Sequence, residues 1–156
     1  MTKFWKFAPW LTRFMLLFPT FIFSAIALKY LMHPAQEAAH FGIILNTPLA
    51  ATILRVGFAG FPLGCAVFTF SCLVSQRRIL TGLSFVSTML GVVLVVRIYG
   101  VLVDGTLQGN LALIRAEIIM LMIMGIGIFI ELGRRRRLDN QNAEPRRTNA
   151  QTALAS

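Results

Sequence analysis

The chain has 156 residues, a length that fits one domain. Charged residues make up 13% of it, against roughly a quarter in a soluble domain, and the mean hydropathy is +0.72, so lipid must be the solvent for its apolar surface. The net charge is +9, but the basic residues flank apolar runs as topology signals do, which excludes nucleic acid as the partner.

A cytoplasmic N-terminal tail is expected over residues 1–10, carrying Lys3 and Lys6, followed by a first membrane span over about 11–32. That span is long enough to cross a hydrocarbon core of about 30 Å, and Trp5, Trp10 and Tyr30 sit near its ends, where aromatic rings prefer the interface. A rival reading is a cleaved signal peptide, because Ala25-Ile26-Ala27 resembles a small-x-small cleavage site. The apolar run continues past that site through Leu28 to Met32, which favours a retained span.

Residues 33–48 form a more polar connector. Pro34 suits the first position of a short helix, and the stretch from Pro34 to His40 can lie along the membrane surface. His33, Glu37 and His40 have helical i, i+4, i+7 spacing, which could place metal ligands on one side; no fourth ligand is evident, and the expectation is solvated residues with no metal and no cofactor. A second span is predicted over 49–75 and a third over 79–103. Between them lies a tight basic turn, Gln76-Arg77-Arg78. Asp104-Gly105 is a turn signal, and a fourth span follows over 107–132. Cys65 and Cys72, seven apart, share a helix face about 10 Å apart, too far to bridge, and read as buried small hydrophobes.

Residues 133–156 hold six arginines, a proline and almost no bulky apolar side chain. Such a segment has little to bury against its ordering entropy, so it is predicted to be a disordered cytoplasmic tail. Arg134, Arg135, Arg136 and Arg137 abut the last span and read, with Arg77 and Arg78, as topology anchors on anionic head groups. If all the basic clusters share one side, the chain crosses four times and both termini are cytoplasmic. Continuous apolar runs exclude the alternating strands of a barrel. The predicted fold is all-α, a four-helix transmembrane bundle.

Charges within the spans cost about 2.5 to 3.5 kcal/mol at mid-bilayer, so they call for a partner or a purpose. Arg55, Arg97, Asp104, Arg115 and Glu117 all fall in the outer part of their helices by this topology, so that three helices deliver charge to one level. Glu117 shares a stripe with Leu121 and Gly125 and is expected to face the bundle, pairing with Arg55 or Arg97; Arg115 can snorkel to the head groups. The cluster of Arg55, Arg97, Asp104 and Glu117 is the candidate site, as a ligand pocket or as ion pairs that set helix register. Gly57, Gly60, Gly64 and Gly125 are candidates for close helix packing. Pro62 removes one helical hydrogen bond, freeing the carbonyl of Phe58, and Pro19 likewise frees Met15; a kink at Pro62 could open a cavity beside Arg55.

The pattern of His33-Pro34, Arg55-x-Gly57-x-x-Gly60 with Pro62-Leu63-Gly64, Arg97-x-x-Gly100-x-x-x-Asp104-Gly105 and the later Glu117 resembles the domain-of-unknown-function family 4345. Those are small bacterial membrane proteins of four predicted helices, and the resemblance covers residues 11–132. It departs at Gly57, where members often carry an acidic residue. Size and helix count are also similar to the DoxX-like membrane proteins. The resemblance implies the bundle and its polar positions, in a bacterial inner membrane, and no activity.

The leading expectation is a small non-enzymatic membrane protein, a subunit of a membrane partner or a binder of a lipophilic small molecule oriented by the polar cluster. A membrane enzyme or redox-linked protein acting on a quinone-like or lipid substrate is the alternative, and would need Glu117 as a proton donor in contact with a cavity. An oligomeric small transporter is the third reading.

Overall fold

The computed structural model describes the backbone of residues 2–155 and the side chains of residues 7–138, 140 and 141. Helix α1 runs over Thr2–Met32, α2 over Pro34–Ala39 and α3 over Pro48–Arg55. A π-turn at Val56–Gly60 joins α3 to α4, Phe61–Val74. A 3-10 turn at Gln76–Arg78 leads into α5, Ile79–Asp104, and α6 covers Leu107–Ala155. The fold is all-α, with no strand among the described residues.

Four stretches are long and apolar enough to cross a membrane: Phe7–Met32, Pro48–Val74, Gln76–Asp104 and Leu107–Leu138. At 1.5 Å per residue, the 26 residues of the first make about 39 Å, more than the hydrocarbon thickness requires. Large side chains such as Phe14, Phe21, Ile53 and Phe129 are exposed along them, a surface that water would not tolerate and lipid does. The chain is a multi-pass membrane protein.

The breaks between helices follow local chemistry. Pro34 opens α2 at a position whose N–H would be unpaired anyway. The chain leaves α2 through Gly42, whose φ of +74° lies in the left-handed region that favours glycine. Thr47 caps α3 by accepting from the Ala50 N–H at 3.1 Å, with Pro48 in the first helical position. The second span therefore starts at Pro48, one residue before the expected boundary. Gly105, with φ +66°, separates α5 from α6.

Both ends of the helical set extend further than composition predicts. α1 begins at Thr2, so its helix takes in residues 2–10 ahead of the expected span; of their side chains only those from Phe7 on are described. The backbone of α6 runs on through the polar stretch to Ala155; beyond Gln141 no side chain is described.

The chain divides into two compact units, one of Arg13–Gly82 and one of Met1–Thr12 with Leu83–Ser156. In the first, α1 and α4 are joined by a hydrogen bond between buried hydroxyls: Thr20 donates to Thr69 at 2.9 Å, and Thr69 donates to the Cys65 carbonyl at 2.8 Å. Gly82 marks the closest packing in this unit. A Cβ placed there would lie 2.8 Å from Cys72 Cβ and 2.8 Å from a Leu16 methyl. The glycines singled out by spacing behave differently. A Cβ on Gly57, Gly64 or Gly125 would meet nothing within 4 Å, and on Gly60 only the Arg55 carbonyl at 4.0 Å. Spacing along one helix does not say which face a neighbour approaches. Cys65 and Cys72 are buried free thiols, as their spacing requires.

Candidate functional site

Within the second unit, α5 and α6 are connected by Gly105 and Thr106 alone, so their facing surfaces are neighbours by construction. Arg97 on α5 reaches Glu117 on α6. Its Nε donates to both carboxylate oxygens at 2.9 and 3.0 Å, and one terminal nitrogen donates to Oε1 at 2.7 Å. The other terminal nitrogen donates to Asn110 Oδ1 at 3.0 Å. Asn110 is held in turn, its amide donating to the Thr106 carbonyl and hydroxyl at 3.1 Å each. The Arg97 and Glu117 side chains are only 25% and 13% exposed.

This arrangement neutralises the Arg97 charge at a depth where a bare cation is costly. A guanidinium has five N–H groups, and three are engaged here. The two that remain belong to a side chain that lines an open cavity of about 420 Å³. Val92, Val96 and Val101 supply an apolar wall to that cavity; Arg97, Asp104, Thr106 and Asn110 supply a polar end. Asp104 has no ion pair among the described residues. A Cβ on Gly100 would sit 3.9 Å from Asp104 Oδ2, an ordinary van der Waals contact. With Arg97 set against Glu117, the carboxylate of Asp104 leaves the cluster with one net negative charge.

Arg55, expected in the same cluster, belongs to the first unit. Its Nε donates to the Leu31 carbonyl at 3.2 Å, within the first unit. Of the two expected partners for Glu117, Arg97 is the one bonded to it. Beside Arg55 lies a separate cavity of about 240 Å³, lined by Ala27 and Leu31 of α1 and by Val56, Ala59, Gly60 and Leu63. The π-turn runs past this cavity immediately ahead of Pro62. A wider i→i+5 turn ahead of Pro62 takes up the register that proline breaks. Tyr30 stacks on Phe58 in the same unit, ring centroids 5.2 Å apart.

His33, Glu37 and His40 do not converge; among the described residues no group of three such side chains is placed to hold a metal ion. Arg115 is exposed on α6. Arg77 and Arg78 are exposed in the 3-10 turn.

Two polar residues escaped the sequence reading. Asn110 lies one turn into α6, and only a partner on α5 gives it meaning. Glu131 is fully buried and bonded by two anchor arginines: Arg134 donates to both of its oxygens at 2.9 and 2.6 Å, and Arg135 donates to one at 3.2 Å. The signal was present, since Glu131 stands three and four residues before two arginines, a helical pairing distance. It was missed because the helix was expected to end at Leu132.

No family model, no curated protein and no solved structure matches this chain.

Proposed function

We propose that this protein binds a small lipophilic molecule by its polar head in the cavity between α5 and α6. The observation that carries the reading is Arg97: neutralised by Glu117, braced by Asn110, and lining the cavity with two N–H groups to spare. Those donors suit a carbonyl or ether oxygen, and the Asp104 carboxylate suits a hydroxyl. One net negative charge disfavours an anionic head. The ligand is therefore a neutral lipophile that carries both an acceptor and a hydroxyl, its apolar part against Val92 and Val96 and continuous with the bilayer.

Glu117 has both oxygens on Arg97, and the cavity is lined without it, so the geometry favours binding over proton donation. The resemblance to the domain-of-unknown-function family 4345 is consistent with this reading, and with residence in a bacterial cytoplasmic membrane. The basic residues support an orientation with both termini and the Arg77/Arg78 turn in the cytoplasm, and the α5/α6 turn outside.

The test is mass spectrometry of protein extracted in mild detergent. A neutral adduct should accompany the wild type and be lost from Asp104→Ala and from Val96→Trp, which fills the cavity. Equal adducts on all three proteins, or none on the wild type, would reject the proposal.

A further inference from the structure

Arg97 and Arg55, both partly exposed within their spans, are treated differently by the fold. Arg97 has a carboxylate partner; Arg55 has none among the described residues, and its one hydrogen bond there runs from Nε to the Leu31 carbonyl. That bond fixes the guanidinium while leaving four of its five N–H groups and its full positive charge unmatched. An uncompensated cation at this depth is available to an anion.

Depth narrows the source. Arg55 lies seven residues past Pro48, about 10 Å along the helix, while the whole span of 27 residues makes about 40 Å. A hydrocarbon core of about 30 Å centred on that span begins about 5 Å from its end, so the Arg55 backbone lies about 5 Å below the head groups. A long side chain covers that distance by snorkelling. Arg55 is therefore within reach of lipid phosphates.

The cavity beside it has the complementary form. It runs from Arg55 and Val56 to Leu63, about 12 Å down the helix, and every other lining side chain is apolar. Ala27, Ala59 and Gly60 keep the floor shallow, with Ala27 and Ala59 buried. The Arg55 stem lines one end of this wholly apolar groove, with its Nε held at the Leu31 carbonyl, so an anionic amphiphile would lay its chain in the groove and its head on the guanidinium beside it.

We propose that this groove is a binding site for an anionic glycerophospholipid, its phosphate on Arg55 and one acyl chain along Ala59, Gly60 and Leu63. The site lies wholly within the unit Arg13–Gly82 and is independent of the α5/α6 cavity; it rests only on the four-span topology. It also gives the π-turn a function. The wide turn at Val56–Gly60 forms part of the groove wall, so the break at Pro62 shapes the site as well as bending the helix.

Native mass spectrometry in mild detergent tests this with phosphatidylglycerol, phosphatidylcholine and inorganic phosphate as probes. The wild type should retain phosphatidylglycerol about tenfold better than phosphatidylcholine, as one charge-assisted contact allows, and should not retain free phosphate. Arg55→Gln should lose the preference between the two lipids while keeping weak binding of both. Gly60→Leu should lose both lipids, because the backbone there has ordinary helical angles, φ −62° and ψ −46°, and the new side chain would occupy the groove. Helical circular dichroism should be unchanged in Gly60→Leu, which keeps the test valid if Arg55→Gln fails to fold. Asp104→Ala, which strikes the other cavity, should retain phosphatidylglycerol even where it loses the neutral adduct. Undiminished preference for phosphatidylglycerol in both groove variants would place the lipid on the Arg134 to Arg137 cluster and overturn the proposal, as would equal binding of the two lipids by the wild type.

Discussion

Arg97 and Glu117 tie α5 to α6 through two guanidinium nitrogens on a single carboxylate, at 2.7 to 3.0 Å. Each removes the cost of the other's charge, so neither can be changed alone without leaving a part-buried ion behind. Glu117→Gln should destabilise the protein by roughly 2 kcal/mol, while Arg97→Leu with Glu117→Leu should recover most of the loss. Thermal unfolding in detergent of the two singles and the double checks this. A double variant as unstable as the sum of the singles would show that the pair contributes more than mutual neutralisation.

Gly82 admits no side chain, with Cys72 Cβ and a Leu16 methyl each 2.8 Å from where a Cβ would be. Gly82→Ala should cost about 1–3 kcal/mol by forcing these elements apart. Gly57→Ala and Gly64→Ala meet open space and should be neutral or mildly stabilising, since they restrict the unfolded chain. Melting temperatures of the three variants, measured side by side, decide whether close packing resides at Gly82 or in the glycine stripe of the second span.

Glu131 is completely enclosed and held by Arg134 and Arg135. Glu131→Gln keeps the shape and removes the charge, so the two arginines lose their anion. The expected loss is roughly 1–3 kcal/mol, accompanied by faster amide hydrogen exchange over residues 133–138. Unchanged exchange there would mean the helix past Leu132 does not depend on this pair.

The Thr20–Thr69 bond is a weaker tie. Thr69→Val should cost about 0.6 kcal/mol, typical of a hydrogen bond between membrane helices. Thr20 keeps the Leu16 carbonyl as an acceptor in that variant, which limits the loss. A double-mutant cycle with Thr20→Val should return a coupling of that order; zero coupling would assign the stability to the local bonds alone.

Topology has its own test. Single cysteines at Gln36 and Gln108, in a Cys65→Ser and Cys72→Ser background, should react with an impermeant thiol reagent applied to intact cells. A cysteine at Gln76 should not. The reverse pattern would invert the orientation that the basic residues imply.

Much of this was legible one residue at a time. The turn at Gln76–Arg78, the proline start of α2 and the glycine break at Gly105 each rest on local chemistry, and each falls where the sequence predicts. The Arg97–Glu117 pair was one of two alternatives. What was not legible shares a different property. Gly82, Asn110 and Glu131 look unremarkable along the chain, and their roles come from neighbours or from a helix that continues past its apolar stretch.

Four apolar helices, the separations between them and the charges they carry were determined by the sequence alone, because hydropathy summed over some twenty residues is a one-dimensional property. Which arginine meets Glu117, which glycine is crowded and where Arg55 finds its acceptor were decided only by the tertiary structure. In water a helix declares its buried face by being apolar on one side. In lipid the outward face is as apolar as the packed one, so the rotation of each helix is set by contacts that no pattern along the chain displays.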